Sequence, residues 1–88
     1  MQVSIEISLY PLAEETYKDQ IWGFIDHLNA TEGLRVVTNG MSTQVFGEYD
    51  LATSTVMAEI KKVHETLGAA VFVCKFIGGD RQFAEDRV

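Results

Sequence analysis

Residues 2–10 alternate without exception. Val3, Ile5, Ile7 and Leu9 fall on one side, and Gln2, Ser4, Glu6, Ser8 and Tyr10 on the other. A period of two puts the two sets on opposite faces of a pleated strand. Whatever fold forms must therefore offer this strand one dry face and one face of different character. Pro11, the only proline, lacks the backbone donor that a further ladder residue needs, and it ends the strand. A chain of 88 residues makes one domain. At this size about 60–65% of the unfolded surface is buried, enough for a single thin core but not for a cleft between two lobes. A binding site must lie on an open face or where two copies meet.

The rest of the chain supplies the partners of that strand. Glu14 and Glu15 suit the first turn of a helix, and Tyr17, Ile21, Phe24, Ile25 and Leu28 follow at helical spacing, which predicts a helix over 14–29. Gly33 opens a second strand through Thr38. Asn39-Gly40 then reads as a two-residue type I′ hairpin turn, which needs positive φ at both positions. That turn sets Thr38 opposite Met41, Val36 opposite Thr43 and Leu34 opposite Val45. Leu34, Val36 and Val45 share the apolar face, with Thr43 on that same helix side. Arg35, Val37, Ser42, Gln44, Phe46 and Glu48 take the other face. Gly47 marks a bulge or a close backbone approach, and a bulge would re-aim Glu48.

Asp50 is the expected N-cap of a second helix. Its stripe is Val56, Ile60, Val63 and Leu67, flanked by Met57 and His64, and Gly68 terminates it. Residues 69–77 form the last strand and Gly78-Gly79 breaks it. The domain is thus 1–79, and 80–88 is a charged tail that is loose or docks on a neighbour. The order strand, helix, strand, strand, helix, strand is an α+β, ferredoxin-like βαββαβ pattern. It implies a four-stranded antiparallel sheet with two helices on one face. The other face carries Ser4, Glu6, Ser8, Arg35, Val37, Ser42, Gln44, Phe46 and Glu48. From the last strand it takes either Val71, Val73 and Lys75 or Phe72, Cys74 and Phe76. Apolar groups on an uncovered sheet face point to a second copy.

Charge and composition exclude several function classes. Seven basic and thirteen acidic residues give a net charge of −6, which repels phosphate backbones and anionic membrane surfaces. No nucleic-acid or membrane partner is expected. Cys74 is the single cysteine, so the expectation is a buried thiol in a reducing compartment. The first residues lack a basic, then apolar, leader pattern, and a cytoplasmic protein is expected. His27 and His64 sit in different helices without ligand-spaced companions, so no metal site is expected. Trp22, one step off the first helical stripe, is expected to pack at the sheet edge. Glu14, Glu15, Asp80, Glu85 and Asp86 read as solvated charge.

The stretch 38–50 alternates small polar with apolar side chains and ends at acidic residues. Glu6 and Ser8 lie alongside, because the first and third strands are neighbours in this topology. The candidate ligand-binding residues are Glu6, Ser8, Asn39, Ser42, Thr43, Gln44, Phe46 and Glu48. They combine carboxylates, hydroxyls, amides and an aromatic face, which suit a small cation with hydrogen-bonding edges. Thr43 joins the set only if the strand bulges. No Cys-x-x-Cys loop, anion-cradling loop with Arg, Gly-rich nucleotide loop or nucleophile elbow is present. No catalytic constellation and no cofactor is expected.

The run Val3-Ser4-Ile5-Glu6-Ile7-Ser8-Leu9-Tyr10-Pro11-Leu12 resembles that of the YkoF-like thiamine-binding family. So does Gly33-Leu34…Thr38…Thr43-x-Val45-x-Gly47-Glu48…Met57. The likeness spans 2–77. It implies a ferredoxin-like fold whose sheets pack face to face in homodimers, often paired into homotetramers. It further implies non-catalytic binding of thiamine or its hydroxymethylpyrimidine moiety. The family strand often has an acidic residue before the glycine. Here Phe46 stands there and Glu48 follows Gly47, a departure that implies either a charge partner shifted to Glu6 or Glu48 or a different ligand. Two other classes share the size and fold. A dimeric α+β barrel enzyme of monooxygenase type would need a deep pocket between helices and sheet, lined by Trp22, Tyr17 and a His. A regulatory amino-acid-sensing module would use Gly33, Asn39 and Gly40 at an interface.

Overall fold

The structure, a computed structural model, describes residues 1–12 and 17–82, with the backbone alone for Pro11 and Tyr17. Strand β1 spans Gln2–Pro11, helix α1 Tyr17–Asn29, strand β2 Arg35–Thr38 and strand β3 Thr43–Glu48. Helix α2 spans Tyr49–Leu67 and strand β4 Ala70–Gly78. The expectations for Glu14, Glu15 and the Tyr17 side chain, and for 83–88, lie outside the described residues. The sheet runs β2-β3-β1-β4 with every pair antiparallel, the α+β ferredoxin-like arrangement.

Face assignment follows from the alternation of β1. Val3, Ile5 and Ile7 are buried under the helices with Val45 of β3. From the helices come Phe24, Ile25 and Leu28 of α1, and Ala52, Val56, Ile60 and Val63 of α2. Cross-strand pairing carries the parity to β4. Ser4, Glu6, Ser8 and Tyr10 stand opposite Ile77, Lys75, Val73 and Val71, so the Val71, Val73, Lys75 alternative is the one on the open face. Half-buried Cys74 packs against the core side, and its desolvation raises the thiol pKa. No described helix is long and apolar enough to cross a membrane.

Four local expectations are corrected. First, the β2–β3 connection is a four-residue loop, not a two-residue turn. Thr38 pairs with Thr43 and Val36 with Val45, and neither Asn39 nor Gly40 has positive φ. Asn39 closes the loop itself: its N–H donates to Ser42 O at 3.1 Å. Its Oδ1 accepts from the N–H groups of Met41 and Ser42 at 2.8 and 3.1 Å. Such side-chain-to-backbone bonds let Asn build wider turns than the hairpin rule assumes. Second, Gly33 and Leu34 precede β2 in a turn closed by Leu34 N–H on Thr31 O. Third, Gly47 makes no bulge, because β1 and β3 pair without interruption from Gln2↔Glu48 to Ile7↔Thr43. The close-approach reading holds instead. A Cβ at residue 47 would lie 2.6 Å from Leu34 Cδ2 and 3.0 Å from Gly33 O. Fourth, Glu48, not Asp50, caps α2, its carboxylate accepting from Asp50 N–H at 2.6 Å. Trp22 also departs from expectation, with 59% of its surface exposed.

A charged contact joins the helices. Glu59 of α2 is buried, and His27 Nδ1 and Lys62 Nζ each lie 2.8 Å from one of its oxygens. Burial pushes the Glu59 carboxyl up, but the bonds and charge of Lys62 and His27 outweigh it and hold it below its ordinary value. A carboxyl depressed in the folded state stabilises the fold above its unfolded pKa, and that contribution is lost as pH falls through the folded value. Urea midpoints are therefore expected to fall on acidification below the ordinary carboxylate range. Glu59→Gln should flatten that fall in high salt, where the exposed Glu6 pair is screened. An unchanged acid slope in Glu59→Gln would show that Glu59 is not its source.

Candidate functional site

The site is made by a mismatch in strand length. β1 continues to Pro11, but its last partner in β3 is Thr43, opposite Ile7. Met1 O accepts from Tyr49 N–H on the β3 side, whereas Gln2 O accepts from Gly79 N–H on the β4 side. By the alternation of a ladder, odd residues of β1 turn their backbone groups toward β3. Leu9 therefore presents its N–H and C=O to a notch where no β3 residue stands opposite.

The notch holds a cavity of about 270 Å³, just under the usual range for a small-ligand pocket. Ile7, Ile21, Phe24 and Ile25 give it an apolar floor. Ser8, Thr38, Asn39, Ser42 and Thr43 give it a polar rim, with Tyr10 beside them. Thr43 is buried on the helix side, its Oγ1 3.0 Å from Thr38 Oγ1. It reaches the cavity without a bulge, because the cavity opens at the strand's end. Thr38 and the Leu9 backbone were not among the residues chosen from sequence. The signal that could have found them is the length of the first alternating run, which exceeds that of the third strand.

The remaining candidates divide. Glu6, Gln44 and Phe46 line a second cavity of about 190 Å³ on the open face, with Ser4, Lys75, Ile77 and Arg81. Residues 79–81 cross this end of the face. Ser4 Oγ donates to Gly79 O and accepts from Arg81 N–H, both at 2.8 Å. Ser4 and its cross-strand partner Phe46 are both buried, so this end of the face is already covered within one chain. Glu48 joins neither cavity and is engaged in capping α2.

One bond links the two cavities. Ser42 Oγ donates to Glu6 Oε2 at 3.0 Å, and Lys75 Nζ lies 3.3 Å from Glu6 Oε1. The Ser42 hydrogen bond, followed by Lys75, holds the Glu6 carboxyl below its ordinary value. Glu6 thus carries a charge at neutral pH that Lys75 already balances. Trp22 lines neither cavity, His27 and His64 are absent from both, and His64 Nε2 instead lies 3.0 Å from Ala70 O. No group of three metal-ligating side chains occurs among the described residues.

Neither a family model nor a curated protein matches the chain. Solved structures do. The chain is similar to protein SP2199 from Streptococcus pneumoniae, with a TM-score of 0.81 and 20% identity over 91% of this chain and 89% of that one. It is similar to TM0486 from Thermotoga maritima, a protein assigned provisionally to thiamine biosynthesis or salvage. There the TM-score is 0.73, with 17% identity over 86% of this chain and 82% of that one. A domain of unknown function, DUF77, from Bacillus cereus matches with a TM-score of 0.70 and 17% identity, covering 91% of this chain and 78% of that one. At these identities the likeness establishes the fold.

Proposed function

We propose that the protein binds a small thiamine-related heterocycle, thiamine or its hydroxymethylpyrimidine moiety, without transforming it. The observation that carries this reading is the convergence of Ser8, Thr38, Asn39, Ser42 and Thr43 over the apolar floor of the β1 notch. A flat heteroaromatic ring needs apolar contact on its faces and hydrogen-bond partners at its edge. The floor offers the first. The hydroxyls, the Asn39 amide and the Leu9 backbone offer the second. Among the described residues the lining has one titratable side chain, the Tyr10 phenol, and the rest are the hydroxyl, amide and apolar groups that a binding site uses. Glu6, reached through Ser42, is the nearby anion for a charged ring. The YkoF-like resemblance and the thiamine-related assignment of TM0486 support the ligand class. Exposed Tyr10, Val71 and Val73 support a homodimer or homotetramer formed through the uncovered part of the sheet.

Isothermal titration with hydroxymethylpyrimidine and with thiamine tests this. The wild-type protein is expected to bind at least one of them saturably. Thr43→Val, which keeps the shape and removes one hydroxyl, should weaken binding about 3–10-fold, the worth of one neutral hydrogen bond. No heat and no thermal shift with either ligand at millimolar concentration would sink the proposal.

A further inference from the structure

On the far side of the molecule from the sheet's open face, α1 and α2 enclose a groove of about 320 Å³. Two matching helical stripes line it: Gln20, Gly23 and His27 from α1, and Glu59, Lys62 and Thr66 from α2. Phe24 and Val63 form its floor.

Two features are out of place if the groove serves only to join the helices. The first is the buried carboxylate of Glu59, gripped at both oxygens by His27 and Lys62. An apolar pair would join two helices without desolvating a charge. With Glu59 ionised, its Oε1 accepts from His27 Nδ1–H. That fixes the ring with Nε2 directed away from Glu59, as carboxylates do for functional histidines. His27 and Lys62 side chains are each 60% exposed, so both heads remain available above the carboxylate that holds them. The second feature is Gly23, in the interior of α1, where only proline is less favourable. A Cβ built there meets nothing within 4 Å, so packing among the described residues does not call for glycine. Its effect is to leave the groove open beside His27 and Lys62.

We propose that this groove is a second binding site, for a small molecule carrying a phosphate group, seated between Lys62 Nζ and the His27 ring. Lys62 has donors left after its bond to Glu59, and the His27 ring presents Nε2 beside it as a further hydrogen-bonding group. The body of the ligand lies over Gly23 against Phe24 and Val63, and the Gln20 amide is within the same wall. Glu65, at the lip one turn along α2 from Lys62, opposes the phosphate and sets a limit on affinity.

Inorganic phosphate, titrated at constant ionic strength and followed by amide chemical shifts, is the probe. Saturable shifts confined to α1 and α2 around 20–27 and 59–66 are expected. Lys62→Met and His27→Gln should each weaken binding roughly tenfold or more, as loss of a charge-assisted bond does. Glu65→Gln should tighten it. Gly23→Leu should fill the groove and abolish binding while keeping or raising Tm, so loss of folding cannot explain the result. Lys61→Met, outside the groove, should change nothing. An absence of saturable shifts, shifts spread over the surface, or equal weakening by Lys61→Met and Lys62→Met would overturn the proposal.

Discussion

Leu28→Ala is expected to lower the unfolding free energy by about 2–5 kcal/mol, the usual range for emptying a buried leucine site. Leu28 has no exposed surface and lies in the core cluster with Phe24, Ile25 and the buried Val3, Ile5 and Ile7 of β1. In a two-layer fold of helices on one sheet face that core is one layer of side chains deep. The surrounding backbone belongs to a helix and a sheet that cannot both move inward, so the space stays largely open. A domain of this size has about 5–15 kcal/mol in all, and the variant should unfold at a Tm many degrees lower. Leu28→Met, which conserves volume, should cost less than about 1.5 kcal/mol. Urea denaturation of both variants checks the pair. Equal, small losses would show that α1 does not seal the core at this position.

Gly47→Ala is expected to destabilise by about 1–3 kcal/mol, the usual penalty of overpacking. Exchanging a strand glycine for alanine would ordinarily help. Here the new Cβ meets Leu34 Cδ2 at 2.6 Å and Gly33 O at 3.0 Å. The leucine methyl can swing aside, but the carbonyl belongs to the turn that leads into β2. The added methyl must therefore push β3 or that turn. β3 is held by its ladder to β1, where Gly47 faces fully buried Val3. A double variant with Leu34→Ala separates the two collisions. It should be less destabilised than the sum of the single variants, because it removes the side-chain clash and leaves the carbonyl one. Strict additivity would mean that Leu34 contributes nothing to the effect.

How much of this was legible in the sequence depends on the kind of information. The two faces of the sheet were legible, because a period of two fixes the face of every strand residue once one is placed. The hairpin loop was misjudged by two residues, yet Val36, Val45 and Thr43 stayed on their faces. An even shift preserves parity where an odd one inverts it. Loop closure was not legible, because whether Asn39 supplies its own turn bonds or adopts positive φ depends on what surrounds the loop. Glu48 was read as a ligand group although it caps α2, since a carboxylate at a strand–helix junction suits both roles. The candidate residues were chosen as one set along β1 and β3. The fold divides them between the notch and the open face, because β1 outruns β3 and residues 79–81 cross Ser4. Neither strand length nor a tertiary crossing is written in local periodicity.

The bond from Gly79 N–H to Gln2 O has a mechanical consequence. It holds the start of β1 and the end of β4 side by side, on strands that run in opposite directions. A load applied between these two points peels β4 from β1 one rung at a time, beginning at the Gly79 N–H to Gln2 O bond, and never loads the ladder in parallel. The same domain that resists heat through its sealed core should therefore open at low force when pulled by these ends, with α2 left docked on the other three strands.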